Sequence, residues 1–161
     1  MAKEPLIEAL RARLGEAVES AGDSFGDPVL ALRPSSLLAA MSVLRAAPFS
    51  YDVLLDLTCV DYAGSEGRLE LVYHLYALGR NARLRLKASV PDSSPVIDSL
   101  SSLWKNANWL EREVFDLFGV RFSGHPDLRR LLTYEGFQGH PLRKSYPWRL
   151  EQPRLPLRDK D

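Results

Sequence analysis

The residues of this chain that could do chemistry are three histidines, one cysteine and several clustered arginines. His74, His125 and His140 could in principle meet at a metal, but no HExxH or CxxC spacing joins them into a ligand set. His125 and His140 each sit in a Gly-His-Pro turn, where a ring nitrogen bonded to backbone is a sufficient account. Ser123, His125 and Asp127 have the residue types of a nucleophile, base and orienter. Residues two apart on one turn do not align those groups. Cys59 is alone, so it can neither close an internal disulfide nor hold an iron–sulfur cluster, which typically takes four thiolates. Its place on the apolar face of a strand reads as a buried, inert thiol. No GxGxxG follows a strand and no GxxxxGK(S/T) cradle is present. Arg129-Arg130 and Arg143-Lys144 could hold phosphates, but nearby acids such as Glu111 and Asp127, or a partner's acids, make ion pairing the better reading.

The elements that must position these residues lie between Trp109 and Pro147. Up to Phe118 the spacing is helical: Leu110, Val114, Leu117 and Phe118 share one side. Arg112, Glu113 and Asp116 fall on the other, with Arg112 and Asp116 spaced as an i,i+4 ion pair. Gly119 follows where a C-cap glycine belongs. Glu111 breaks the pattern, projecting between Phe115 and Phe118, where a carboxylate needs a partner. Arg129, Arg130 and Arg143 are the candidate partners, because arginine pairs best with a planar carboxylate. After Gly119 the chain is rich in Gly, Pro, Arg and aromatics and holds an echo, Gly124-His125-Pro126-Asp127-Leu128-Arg129 and Gly139-His140-Pro141-Leu142-Arg143-Lys144. Glycine and proline lock such a segment into turns. It cannot build a core and must lie on a surface.

Ahead of that helix the reading is α-β-α-β-β-β-α. An amphipathic helix over 3–20 carries Leu6, Leu10, Leu14 and Val18. A turn region covers 21–27, a strand 28–33, and a helix opens at Pro34 with Leu37, Leu38, Met41 and Leu44 inward. A strand over 51–60 puts Tyr51, Val53, Leu55, Leu57 and Cys59 on one face. The loop Gly64–Gly67 leads to a strand over 68–78 with Leu69, Leu71, Tyr73 and Leu75 inward. A third, over 82–90, carries Arg83, Arg85 and Lys87 outward. Acids on one strand and bases on another suit cross-strand pairing. Ser94-Pro95 predicts a helix running toward Trp104. Trp104, Trp109, Phe115 and Phe118 read as core or interface anchors. The expected fold class is α+β, two layers, a mostly antiparallel or mixed sheet covered by helices with an extended C-terminal tail. Residues 1–119 form the α+β domain, and 120–161 an extended, turn-rich docking segment and tail.

At 161 residues, 45% hydrophobic and 26% charged, the chain has the composition of an ordinary soluble domain. No apolar run approaches the ~20 residues of a membrane helix, and MAKEPLIEAL resembles neither a signal nor a transit peptide. The zero net charge is unevenly spread: from Val120 onward 9 Lys and Arg face 5 acids, and before it 12 face 16. A basic tail on an acidic body points to an anionic partner surface. A nucleic-acid-binding module is the rival from another class, weakly favoured in a neutral chain with Pro-spaced charges.

The run Glu111-Arg112-Glu113-x-Phe115-Asp116-Leu117-Phe118-Gly119-Val120-x-Phe122-x-Gly124-His125-Pro126-Asp127-Leu128-Arg129-Arg130-Leu131-Leu132, closed by Gly139-His140-Pro141-Leu142-Arg143-Lys144, resembles the signature of one family in respiratory complex I. This is the 30-kilodalton subunit of NADH:quinone oxidoreductase. The resemblance implies a non-catalytic scaffold of the peripheral arm, with no cofactor of its own. It implies binding to the 49-kilodalton subunit and to the cluster-bearing subunits B and I, around a quinone held by partners. It further implies a place on the cytoplasmic side of the membrane, touching it only through the complex, in electron transfer coupled to proton translocation. Glu111, Arg112, Glu113, Asp116, Phe122, His125, Asp127, Arg129, Arg130, His140, Arg143 and Lys144 become the expected docking and strap-anchoring residues. Equivalent subunits of membrane-bound hydrogenases or ferredoxin-fed relatives are the alternative within the superfamily. This chain departs from the family pattern at Thr133-Tyr134-Glu135-Gly136, where an acid is displaced by one position, and at Ser145, where an acid usually stands.

Overall fold

The computed structural model describes residues 3–62 and 67–153. The expected Gly64–Gly67 loop, apart from Gly67, and the end of the tail from 154 lie outside the described residues.

Helix α1 (Lys3–Leu14) sends Leu6 and Leu10 into the core. It stops well short of the expected residue 20, because Gly15 turns to φ 55 and a 3-10 turn follows over Gly15–Ala17. The chain then forms strand β1 (Val18–Ser24), where only a turn region was expected, and β2 (Asp27–Leu32). The turn between them has Phe25 and Gly26 both at positive φ, the hairpin geometry that matches strand twist. β1 is an edge strand with no fully buried residue, so it shows no apolar alternation. A 3-10 turn at Pro34–Ser36 leads into α2 (Leu37–Arg45), which buries Leu37, Ala40, Met41 and Leu44.

Strands β3 (Val53–Asp61), β4 (Arg68–Ala77) and β5 (Ala82–Pro91) complete a five-stranded sheet of order β1-β2-β5-β4-β3. β2 and β5 are parallel and the other pairs antiparallel, so the sheet is mixed, as expected. An irregularity between Leu54 and Asp56 shifts the register of β3. Leu54 therefore points inward at 1% exposure and Leu55 outward at 49%, the reverse of strict alternation from Tyr51. On the inner face Leu30, Leu57, Leu71, Tyr73, Leu75 and Leu86 pack under the helices. On the outer face Glu70 of β4 accepts from Lys87 of β5 at 2.8 Å, the expected acid–base pairing across strands, and from Arg68 of its own strand at 3.1 Å.

The helix expected after Ser94-Pro95 is instead a short strand, β6 (Val96–Asp98), followed by turns. It pairs in parallel with β7 (Arg121–Ser123), placing Ile97 beside Phe122, both in the core. The pairing wins because both strand ends are tied: Arg121 N–H donates to Pro95 O at 2.8 Å, and Ser99 N–H to Ser123 O at 2.8 Å. Between β6 and β7 runs α3 (Ala107–Phe118). Its entry is fastened to the start of β3, with Trp104 Nε1–H donating to O of Asp52, just ahead of the strand, at 3.1 Å and Asn106 Nδ2–H to Leu54 O at 2.8 Å. The boundary drawn after Gly119 falls just before Val120 and Phe122, which are 0% and 4% exposed. From Gly124 to Pro153 no helix or strand forms. This strap is held by side chains of the body.

Candidate functional site

The strap crosses α3, and two residues one turn apart on that helix hold it. Asp116 is fully buried. Its Oδ2 accepts from the N–H groups of Leu131, Leu132 and Thr133 at 3.0, 2.8 and 2.8 Å. Its Oδ1 accepts from Arg130 Nη1 at 2.8 Å and from the Thr133 hydroxyl. Arg112, also buried, donates from Nε to Arg129 O and from Nη2 to Arg130 O, each at 3.1 Å. One helix face thus supplies an acceptor for three successive backbone N–H groups and a donor fork for the two carbonyls preceding them. Irregular backbone must place its polar groups somewhere, and here α3 does the work of a neighbouring strand.

This arrangement departs from the expected i,i+4 pair. Arg112 and Asp116 do not form an ion pair with each other; each instead faces the strap, which covers them and leaves Glu113 of the same charged cluster exposed. Burial alone would push the Asp116 carboxyl up, but the bonds from Thr133, Leu132 and Leu131 outweigh it and bring it down to about 2. Arg130 is fixed on three sides, since its Nη1 also reaches Thr133 Oγ1 at 3.0 Å and its Nη2 donates to Gly139 O at 3.0 Å.

The second half of the strap closes the C-terminus of α3. The last four carbonyls of a helix lack intrahelical donors. Here Gly119 N–H serves Phe115 O at 2.9 Å, His140 Nδ1 lies 2.9 Å from Asp116 O, Leu142 N–H donates to Leu117 O at 3.1 Å, and Arg143 Nε donates to Phe118 O. Gly119 has φ 75, and a Cβ there would lie 2.6 Å from His140 Cδ2 and Nε2. Glycine is needed both for the turn and for the ring against it. The guanidinium of Arg143 also suits the negative end of the helix. Lys144 uses its backbone N–H, donating to the buried Asp61 Oδ2 at 2.8 Å.

The first half of the strap meets the helix near its start. His125 Nδ1 accepts from Asp127 N–H at 3.0 Å, which leaves Nε2–H to donate to Asn108 O at 3.1 Å. The ring therefore pins a turn, as the Gly-His-Pro setting suggested. Asp127 pairs on the surface with Arg129 at 2.9 Å. Phe122 is a core residue of β7, and Glu113 is exposed. Cys59 is buried, and desolvation pushes its thiol up to about 12, keeping it protonated.

Glu111 is fully buried, as its place among aromatics implied, but its partner is not an arginine. Ser99 Oγ donates to Oε2 and Leu100 N–H to Oε1, both at 2.6 Å. It ties α3 to the loop after β6 and takes no part in holding the strap. Desolvation pushes its carboxyl up to about 7, against the opposing effect of those two bonds. Thr133, Ser99 and Asp61 are the site residues that sequence reasoning missed. Ser99 was hidden by the expected helix, and nothing in the local pattern marks Asp61. Among the described residues no three of His, Cys, Asp and Glu gather as a metal-binding group.

Known proteins share both the fold and the strap-bearing segment. Residues 30–152, which run from within β2 through most of the strap, match the family described as respiratory-chain NADH dehydrogenase, 30 Kd subunit. The corresponding NADH-quinone oxidoreductase protein of Methylobacterium sp. (strain 4-46) is 42% identical over 147 residues, covering 91% of this chain and 68% of that protein. Among eight such relatives the chain spans from 59% to 77% of their length. A trypsin-resistant fragment (1-134) of Nqo5 superposes with a TM-score of 0.67 at 32% identity, over 80% of this chain and all of the fragment. The fold also recurs, at 19% identity and a TM-score of 0.75, in a membrane-bound sulfane sulfur reductase, an archaeal respiratory membrane complex, over 92% of this chain and 87% of that one.

Proposed function

Because the chain belongs to the family of the 30-kilodalton subunit of respiratory-chain NADH dehydrogenase, we propose that it is a non-catalytic structural and assembly subunit of the peripheral arm of a complex I-type NADH:quinone oxidoreductase. In this reading it holds the quinone-module subunits in register while they pass electrons from NADH to quinone and couple that transfer to proton translocation. Its neighbours are the 49-kilodalton subunit and the cluster-bearing subunits B and I. The iron–sulfur clusters and the quinone belong to those partners, and this chain carries no cofactor. It sits on the cytoplasmic side of the membrane and reaches it only through the complex, in keeping with the finding that no described helix is long and apolar enough to cross a membrane.

The observation that supports this reading is the strap. A segment with no helix or strand is seated on α3 by buried charge, yet large apolar side chains remain outside. Trp109 of α3 and Leu132, Leu142 and Trp148 of the strap are 58%, 64%, 52% and 82% exposed. Aromatic and aliphatic anchors on a rigid surface are what a protein partner buries. The test is affinity purification of the tagged chain from a gentle membrane extract. The reading expects cluster-bearing subunits and NADH:quinone activity to co-purify, and Trp109→Ala with Leu132→Ala to lose both while the chain stays folded. Recovery of the tagged chain alone would contradict it.

A further inference from the structure

Beneath α3 a buried carboxyl is joined to the surface by two hydroxyls. Glu111 is fully buried, and among the described residues only Ser99 Oγ and Leu100 N–H bond its side chain, each at 2.6 Å. Ser99 is itself buried. Its Oγ lies 2.8 Å from the Oγ of Ser101 and accepts from Ser101 N–H at 3.1 Å. Ser101, on the turn after β6, is partly exposed. The oxygens of Glu111, Ser99 and Ser101 thus form an unbroken hydrogen-bonded line from the core toward solvent.

We propose that Glu111 is a proton-exchanging site, loaded from water through Ser101 and Ser99. In loading, a hydronium ion gives its proton to Ser101 Oγ, the Ser101 O–H proton passes to Ser99 Oγ, and the Ser99 O–H proton passes to Glu111 Oε2. One O–H bond forms at Glu111, one breaks at the hydronium, and each serine keeps one proton. Unloading to water is the reverse. The site belongs to this chain alone and does not depend on its assembly with partners.

Three observations carry the proposal. First, the geometry satisfies both states of the carboxyl. A serine hydroxyl has one O–H to donate and two lone pairs to accept with. With Glu111 ionised, Ser99 donates to Oε2 and accepts from the N–H and O–H of Ser101. With Glu111 protonated, Ser99 accepts from Oε2–H and from Ser101 N–H, and donates to Ser101 Oγ. Only hydroxyl rotations separate the two, and Leu100 N–H serves Oε1 in both. Second, no described cation bonds the carboxyl to fix it as an anion. Desolvation outweighs the bonds from Ser99 and Leu100, so the proton is held up to about pH 7. Third, the groups packed around it neither compete nor offer a second path. Tyr73 of β4 is pushed up, first by desolvation and then by Glu111, Cys59 and Asp98, and its hydroxyl is buried with no partner. Cys59 of β3 is kept protonated by desolvation, and Asp98 of β6 is partly exposed. On α3 itself Arg112 turns to the strap and Glu113 to solvent.

The experiment is carbon NMR of the full chain labelled at its glutamate carboxyls, titrated through neutral pH, with the exchange rate read by relaxation dispersion. The Glu111 signal is the one lost in Glu111→Gln. It should titrate near neutrality, apart from the exposed glutamates, and its proton exchange should slow in D2O, because the proton passes between hydroxyls. Ser101 does not touch the carboxyl. Ser101→Ala should therefore leave the midpoint in place and slow exchange by about tenfold, the factor that about 1.4 kcal/mol of added barrier gives. Ser101→Thr restores the hydroxyl and should recover the rate. Ser99→Ala also removes a bond to the carboxylate, so it should raise the midpoint as well as slow exchange. A Glu111 signal with no transition near neutrality, equal exchange rates in Ser101→Ala and the unaltered chain, or no slowing in D2O would each overturn the proposal. The D2O comparison is made on the unaltered chain, so it decides even where a variant is destabilised.

Discussion

Thr133 meets Asp116 twice: its N–H donates to Oδ2 at 2.8 Å and its hydroxyl to Oδ1. The strap is therefore fastened through backbone and side chain at one point, on a carboxylate with no exposure to solvent. Asp116→Asn would put an NH2 group where backbone N–H groups now donate. Breaking a buried charged network from one side costs about 3–5 kcal/mol. Residues 129–144 should become cleavable by protease, with urea unfolding reporting the loss. Glu113→Gln on the exposed face should stay within about 0.5 kcal/mol.

The two buried carboxylates of α3 titrate in opposite senses. Asp116 is held down to about 2 from an ordinary 3.8, so its stabilisation is present above pH ~4 and is lost as pH falls toward 2. It amounts to about 2 kcal/mol. Glu111 is pushed up to about 7 from 4.5, so its protonated form favours folding. That contribution is full below pH ~4.5 and is lost as pH rises through 7, by about 3 kcal/mol. Urea midpoints measured from pH 3 to 9 should fall between 4.5 and 7. Glu111→Gln should flatten that interval, because Gln can accept from Leu100 N–H and donate to Ser99 Oγ. Asp116→Asn should leave it in place.

Gly119 and His140 should show coupled substitutions. Gly119→Ala places a methyl at positive φ, costing about 1–2 kcal/mol, and drives it into the imidazole 2.6 Å away. In a His140→Ala background only the backbone cost remains. A double-mutant cycle by urea unfolding should therefore return an interaction energy of at least about 0.5 kcal/mol.

Ending the chain after Gly119 and after Ser123 should give different proteins. The shorter loses Val120, Phe122 and the whole of β7. Removing a buried aromatic of this kind costs about 3–5 kcal/mol. The longer keeps that core but uncovers Asp116 and the last carbonyls of α3. Amide exchange should show native protection of β4 and β5 in the longer form, with fraying confined to the end of α3.

Much of this architecture is visible in residue patterns. Strict alternation in Leu69, Leu71, Tyr73 and Leu75 marks β4, and the 3.6-residue stripe with Gly119 behind it marks α3. What escaped is where non-local contacts override local preference. Edge strand β1 buries nothing fully, so Val18–Ser24 has no alternation to detect. Ser94-Pro95 is a good helix start, yet Val96 and Ile97 gain more by pairing with β7, residues distant in sequence. Periodicity placed Arg112 and Asp116 on a polar face, and the same pattern serves a solvated face and one roofed by a polar strap. Glu111 was read as buried because its neighbours are apolar. Its donors come from a loop whose path no helical wheel contains.

Asp116 and Arg112 grip chiefly peptide groups along residues 129–133. Thr133 and Arg130 add side-chain bonds, but Leu131 and Leu132 are held only by their amides. The grip thus needs a backbone N–H at those two positions, which every residue but proline supplies. Substitution of the outward Leu132 alters what the molecule offers to its surroundings without unseating the backbone beneath. Attachment and recognition are uncoupled at this point, so a lineage could exchange one neighbour for another here while the fold stays silent about the change.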